Sequence, residues 1–156
     1  MCDNLLLVLY KFLVEYLCIL YKTILVATDG SYQSKAAEDR AIKLALNFSS
    51  NLAGAYVVDT GRFRWAEELI HEVYAKVKKE GEEVLRRFRE KTATYGMEVE
   101  LIMLEGHPAY EIVKISERYD LIVMGSRGYG TEEIALGSIA QRVVRRAKCD
   151  VLVVKV

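Results

Sequence analysis

Two short segments hold the residue types that binding chemistry needs. The first, Ala27-Thr28-Asp29-Gly30-Ser31, sets a carboxylate and two hydroxyls beside a glycine. The second, Gly125-Ser126-Arg127-Gly128, is followed after eight residues by Gly137-Ser138. Glycine lets a backbone approach an anion closely and aim successive N–H groups at it. A helix beginning near Gly137 adds its positive end, and Ser138 a hydroxyl donor. In outline this is a phosphate cradle. It lacks the Gly-Lys-Ser/Thr end of a P-loop and the tight G-x-G-x-x-G spacing of a dinucleotide fingerprint; taken alone, its glycines also fit plain turns. Asp29 reads in two ways as well: as a turn or cap residue, or as a carboxylate accepting hydrogen bonds from a ribose or a base.

The elements that must position these loops follow from periodicity. Thr23 to Thr28, Leu52 to Val58, Leu121 to Met124 and Val151 to Val154 are short apolar, partly β-branched runs, the pattern of buried strands. Met97 to Leu104 alternates apolar and polar residues and supplies a fifth strand. Between them, Ala37, Ala41, Leu44, Ala45 and Phe48 mark one helix, capped by Ser31 or Ser34. A long helix over about Trp65 to Thr94 turns Leu69, Val73, Val77, Val84 and Phe88 inward, with Gly81 weakening its middle by up to about 1 kcal/mol. Pro108 suits a helix's first turn, with Ile112, Ile115 and Tyr119 on the inner face. Leu136, Ile139, Ala140, Val143 and Ala147 mark the last helix. Strands apolar on both faces and alternating with helices require a parallel sheet covered on two sides. The expected fold is therefore a single doubly wound α/β domain, a five-stranded parallel sheet with helices on both faces, and ligands in such sheets bind beyond the carboxyl ends of the strands.

Composition bounds the function. The 156 residues are 52% apolar and 28% charged, which fits one compact domain. Lys and Arg total 22, as do Asp and Glu, so the net charge is zero. That argues against a general nucleic-acid binder, which needs basic excess to displace phosphate counterions. Three cysteines, Cys2, Cys18 and Cys149, show no C-x-x-C spacing. Neither a disulfide framework nor a zinc site is expected, and a reducing cytoplasm is.

Residues 1–21 form an apolar extension ahead of the domain at 22–156. The run LLLVLYKFLVEYLCILY at 5–21 approaches the length of a membrane span, but Lys11 and Glu15 sit in its middle. Each such charge costs on the order of 2–3 kcal/mol at a bilayer centre. Signal-peptide features are missing. As a helix it would carry Asn4, Lys11, Glu15 and Lys22 as a narrow polar stripe. Packing on its own domain or a partner chain is favoured over contact with a membrane surface.

Six motifs in order, ILVATDGS at 24–31, YVVD at 56–59, GHPAYEI at 106–112, DLIVMGSRG at 120–128, GS at 137–138 and DVLVV at 150–154, resemble the universal stress protein family. The resemblance spans 22–156 and implies the same five-stranded parallel fold. It further implies an adenine nucleotide (ATP, ADP or AMP) held at the carboxyl ends of strands 1, 2 and 4. Thr28 and Asp29 would meet the adenine–ribose side, and Val57 would make a backbone contact to the base. Met124, Gly125, Arg127 and Gly128 would line the cleft, while Gly137, Ser138, Ile139 and Ala140 present N–H and hydroxyl groups to the phosphates. Dimerisation through the last strand, Val151 to Val156, is implied too, pairing an otherwise open edge. One departure stands out: the family's G-x2-G-x9-G-S/T loop has eight residues here between Gly128 and Gly137, and among them are Glu132 and Glu133. Carboxylates near a polyphosphate repel it unless a divalent cation such as Mg²⁺, carried by the phosphates, intervenes.

Other candidates read more plainly. His71 and His107 are the only histidines, too few for a His-rich metal site, and no Ser–His–Asp arrangement emerges. Arg142, Arg145, Arg146 and Lys148 suit the negative end of a helix. No general base is placed to activate water, so any ATPase activity is expected to be slow. The leading expectation is a nucleotide-binding regulatory or stress-response module acting on protein partners. Its rivals are a dimeric interaction protein of the same fold that binds no nucleotide, and an enzyme of a related nucleotide-binding superfamily.

Overall fold

The computed structural model describes residues 6–13, 20–63, 70–127 and 136–156. Its elements run β1 (Thr23–Ala27), α1 (Tyr32–Phe48), β2 (Asn51–Asp59), a 3-10 turn (Thr60–Phe63), α2 (Ile70–Ala93), β3 (Val99–Gly106), α3 (Pro108–Ile115), a second 3-10 turn (Ser116–Arg118), β4 (Leu121–Gly125), α4 (Ser138–Arg146) and β5 (Asp150–Val154). The five strands form one parallel sheet in the order β3-β2-β1-β4-β5. This is the doubly wound α/β fold that the sequence predicts. Its strand order reverses between β1 and β4, which places the switch point at the carboxyl ends of these two strands.

β1 shows why the sheet needs cover on both sides. Ile24 and Val26 are fully buried with Ala37, Ala41, Ile42 and Ala45 of α1 and Phe88 of α2. Leu25 and Ala27 alternate to the opposite face, against Ala109 and Ile112 of α3 and Ala140 and Val143 of α4. Each fully buried Ile, Leu or Val contributes about 1.5–3 kcal/mol.

One detail bears out the sequence reading and one departs from it. Helix α1 starts at Tyr32, five residues before its first apolar position, because Ser31 caps it by accepting from the Ser34 amide at 3.2 Å. Gly81, expected to weaken α2, is there for contact: a Cβ on it would lie 2.5 Å from the Tyr56 ring. The predicted start of α2 at Trp65 and its inward Leu69 lie outside the described residues. Of the apolar extension, residues 6–13 are helical, and Leu6, Leu7, Leu9, Tyr10, Phe12 and Leu13 are all more than half exposed. No described helix is long and apolar enough to cross a membrane.

Candidate functional site

A cleft of about 680 Å³ opens at the carboxyl ends of β1, β2 and β4, within the range of small-molecule sites. A second hollow, of about 540 Å³, lies at the opposite edge of the strands, where the topology has no switch point. Three segments far apart in the chain converge on the first cleft.

The loop after β1 continues the sheet for one residue, the Thr28 amide donating to Ala55 O at 2.9 Å. It then turns at Gly30, whose φ of 78° suits glycine. Asp29 Oδ1 accepts from the Ser31 amide at 3.0 Å, an Asx turn that fixes the carboxylate on the cleft wall. The Thr28 hydroxyl does not face outward. It donates to the buried Glu38 carboxylate at 2.6 Å and lies 3.2 Å from Ser34 Oγ. The pairing of β1 with β2 ends at Ala27↔Ala55. Val57, two residues on, directs its peptide groups the same way as Ala55 and meets no backbone partner across that gap among the described residues.

The floor is β4. Met124 is buried with its side chain on the cleft, and Gly125 ends the strand. A Cβ on Gly125 would stand 2.9 Å from the Gln33 carbonyl carbon, so glycine here lets the first turn of α1 rest on the strand. The Ser126 amide donates to Val154 O at 2.9 Å, and Arg127 lines the opening. Gly128, Glu132 and Glu133, in the short loop before Gly137, lie outside the described residues.

The third segment is the start of α4. The first helical bond is Gln141 N–H to Gly137 O at 2.9 Å, so the amides of Ser138, Ile139 and Ala140 have no intrahelical acceptor. All three residues line the cleft, and the positive end of the helix faces it. Gly137 differs from expectation. Its own amide donates to Ser126 O at 2.8 Å, because Gly137 is the N-cap, turned back on the strand end, so its N–H is not offered to the cleft.

Residues that the sequence reading passed over complete the walls. Asp59 stands at the end of β2, and Val77, Glu80, Glu83, Val84 and Arg87 come from one stripe of α2. Arg86 and Arg87 hold the exposed Glu83 carboxyl down at about 2, chiefly through hydrogen bonds. Only the spacing of 77, 80, 84 and 87 hinted at a shared helix face. His107, at the start of α3, lies 2.8 Å from Arg142 Nη1 through Nε2, which clips α3 to α4. Of the predicted basic cluster, Arg142 is therefore engaged in the fold, while Arg145 and Arg146 do sit in the last turn of α4. Among the described residues, no group of three or more His, Cys, Asp or Glu side chains could hold a metal.

A sequence profile of the universal stress protein family matches residues 20–155. A universal stress protein of Methanocaldococcus jannaschii is 43% identical over 144 residues, covering 87% of this chain and 83% of that protein. Among solved structures, the universal stress protein UspA from Lactobacillus plantarum is similar with a TM-score of 0.78 at 27% identity, covering 86% of this chain and 97% of the other. A universal stress protein crystallised in complex with cAMP is similar with a TM-score of 0.66 at 31% identity, again covering 86% and 97%.

Proposed function

The chain belongs to the universal stress protein family, and from that premise we propose that it is a regulatory or stress-response module that binds an adenine nucleotide in the cleft at the switch point. One observation carries the reading: the Asp29 carboxylate, the peptide edge of Val57 and the helix-start amides of Ser138, Ile139 and Ala140, which have no backbone acceptor among the described residues, line a single cleft. A carboxylate suits ribose hydroxyls, a strand edge suits the polar rim of a base, and helix-start amides suit a phosphate. The related structure with cAMP supports the same ligand class. In this reading Met124, Gly125 and Arg127 line the floor and mouth, and Mg²⁺ enters with ATP or ADP on the phosphates rather than on protein ligands.

The test is a thermal shift and calorimetric titration with ATP, ADP, AMP and cAMP, each with and without Mg²⁺. A ligand at a hundredfold its Kd stabilises the folded state by about 2.7 kcal/mol, worth roughly 5–10 °C for a domain of this size. Asp29→Ala should abolish the shift. No response to any of the four nucleotides overturns the reading.

β5 is an edge strand, and its outward peptide groups suit pairing with a second copy, so the module is expected to act as a dimer. A second reading, a dimeric interaction protein that binds no nucleotide, draws on the Gly137 amide being taken by Ser126 O and on the acids at the rim, Asp59, Glu80 and Glu83. An empty cleft in protein exposed to millimolar nucleotides would favour it.

A further inference from the structure

Glu38 is a charged residue in an unusual place. Its side chain is 6% exposed, on the inner side of α1. One oxygen accepts from Thr28 Oγ1 at 2.6 Å, in the range of a charge-assisted O–H···O⁻ bond. The other lies 3.2 Å from Lys91 Nζ. Lys91 reaches across from α2 and is itself anchored, 2.7 Å from Asp39 Oδ1 and 3.4 Å from Lys35 O. A carboxylate is thus fixed from both ends at the boundary between two helices and the loop that ends β1.

A buried ion pair of this kind is weak evidence for stability, since desolvation offsets most of the attraction. Its consequence for orientation is direct. A threonine hydroxyl has one proton and two lone pairs. With the proton committed to Glu38, Thr28 Oγ1 can only accept from the Gly30 amide, 3.3 Å away. Gly30 is the left-handed residue of the turn that holds Asp29 on the cleft wall. Without the carboxylate, the hydroxyl can turn its proton to Ser34 Oγ at 3.2 Å, which swings its lone pairs and changes the direction from which the Gly30 amide is accepted.

We propose that Glu38, anchored by Lys91, is a positioning residue of the cleft: it sets the Thr28 hydroxyl, which holds the Gly30 turn and thereby the Asp29 carboxylate at the angle a ligand meets. The inference rests on the adenine-nucleotide reading of the site. It touches no ligand atom and acts through Thr28 alone, so its mark is coupling between the two residues rather than loss of either.

The experiment is a double-mutant cycle on nucleotide affinity, with AMP and with ATP plus Mg²⁺ as probes, over wild type, Glu38→Gln, Thr28→Val and the double variant. Glu38→Gln keeps size and polarity and removes the charge, and Thr28→Val keeps shape and removes the hydroxyl. Each single change should weaken binding about tenfold, the factor that 1.4 kcal/mol represents, and the double variant should be no weaker than either. Thr28→Ser, which retains the hydroxyl, should restore binding. A second arm needs no ligand: in amide NMR spectra of the free protein, Glu38→Gln should shift the Gly30 and Ser31 resonances, which the control Glu90→Gln on the exposed face of α2 leaves in place. Unchanged affinity, additive losses, or unmoved Gly30 and Ser31 amides overturn the proposal. Failure of the wild-type protein to bind either probe overturns the ligand reading, and the cleft role of Glu38 with it; wild-type binding with silent variants overturns Glu38 alone.

Discussion

Replacing Gly125 by alanine tests whether the cleft is assembled by backbone contact. The added Cβ would lie 2.9 Å from the Gln33 carbonyl carbon and 3.0 Å from its oxygen, where ordinary contact begins at 3.4 Å. Both atoms belong to the first turn of α1, which no rotamer change can move aside. Relief therefore needs about 0.5 Å of separation between β4 and a helix that packs on both β1 and β4. Overpacking of a fitted interior costs about 1–3 kcal/mol. Alanine returns about 0.4–1 kcal/mol by restricting the unfolded chain. The expected net loss is about 1–2 kcal/mol, read as a lower urea midpoint with unchanged slope, or as a fall of roughly 2–8 °C in Tm. Nucleotide affinity should fall with it, since the helix start that moves carries the Ser31 cap and the Asp29 turn. A variant as stable as wild type and equally able to bind would refute the reasoning, because the interface would then have slack that the geometry denies.

The edge strand gives a second prediction. Ser126 N–H bonds to Val154 O and Asp150 N–H to Asp120 O, so even-numbered residues of β5 face β4 and Val151, Val153 and Lys155 turn their peptide groups outward. Val153→Pro should turn a dimer into a monomer in light scattering while the fold persists; a dimer that survives the change refutes pairing through this edge. Burial, then the carboxylates of Asp150 and Asp120, push the Cys149 thiol above its ordinary value; peptide-resolved alkylation at pH 8 should therefore label it more slowly than a free thiol, and equal rates would contradict that. For Lys91, burial pulls downward, but Asp39 and Glu38 outweigh it and leave the ammonium above its usual range. A raised folded pKa means this stabilisation is complete below pH 10.5 and lost as pH climbs through the folded value. Urea midpoints compared between wild type and Lys91→Met should converge at strongly alkaline pH, and a gap that widens there would reverse the sign.

Much of the fold is legible in the residues because β1, β4 and β5 are uninterrupted apolar runs, and only a doubly covered parallel sheet can bury both faces of each. Ser31 as a cap is likewise readable from type and place. The inner face of α2 is legible in part, since Val73, Val77, Val84 and Phe88 do pack on the core. Counting apolar residues points to Val73, Val77, Val84 and Phe88, whereas the most buried stripe runs Gly81, Leu85, Phe88 and Thr92, at steps of four, three and four. Two of those four are not apolar, so a hydrophobicity count misses them, and Val77 and Val84 are displaced sideways to form the cleft wall. Glu38 hides for the opposite reason: a charge among Lys35, Asp39 and Arg40 reads as one more solvated residue, and only the reach of Lys91 from 53 positions away shows it is buried.

Specificity in the cleft must originate in groups other than those that place it. Its placement rests on contacts of main chain with main chain or with a missing Cβ: Thr28 N–H on Ala55 O, Gly137 N–H on Ser126 O, and Gly125 against Gln33. These tie the loop after β1 to β2, α4 to the end of β4, and β4 to α1, and they hold whatever side chains surround them. Apart from Asp29, which its Asx turn holds on the wall, the charged groups lie on the rim: Asp59 at the end of β2, Glu80, Glu83 and Arg87 on α2, and Arg127 after β4. A scaffold fixed by backbone can keep one ligand orientation while rim side chains change the net charge it accepts. In this chain the cleft lining carries four carboxylates, Asp29, Asp59, Glu80 and Glu83, and two guanidiniums, Arg87 and Arg127. On the nucleotide reading proposed above, that balance disfavours each added phosphate unless a cation accompanies it.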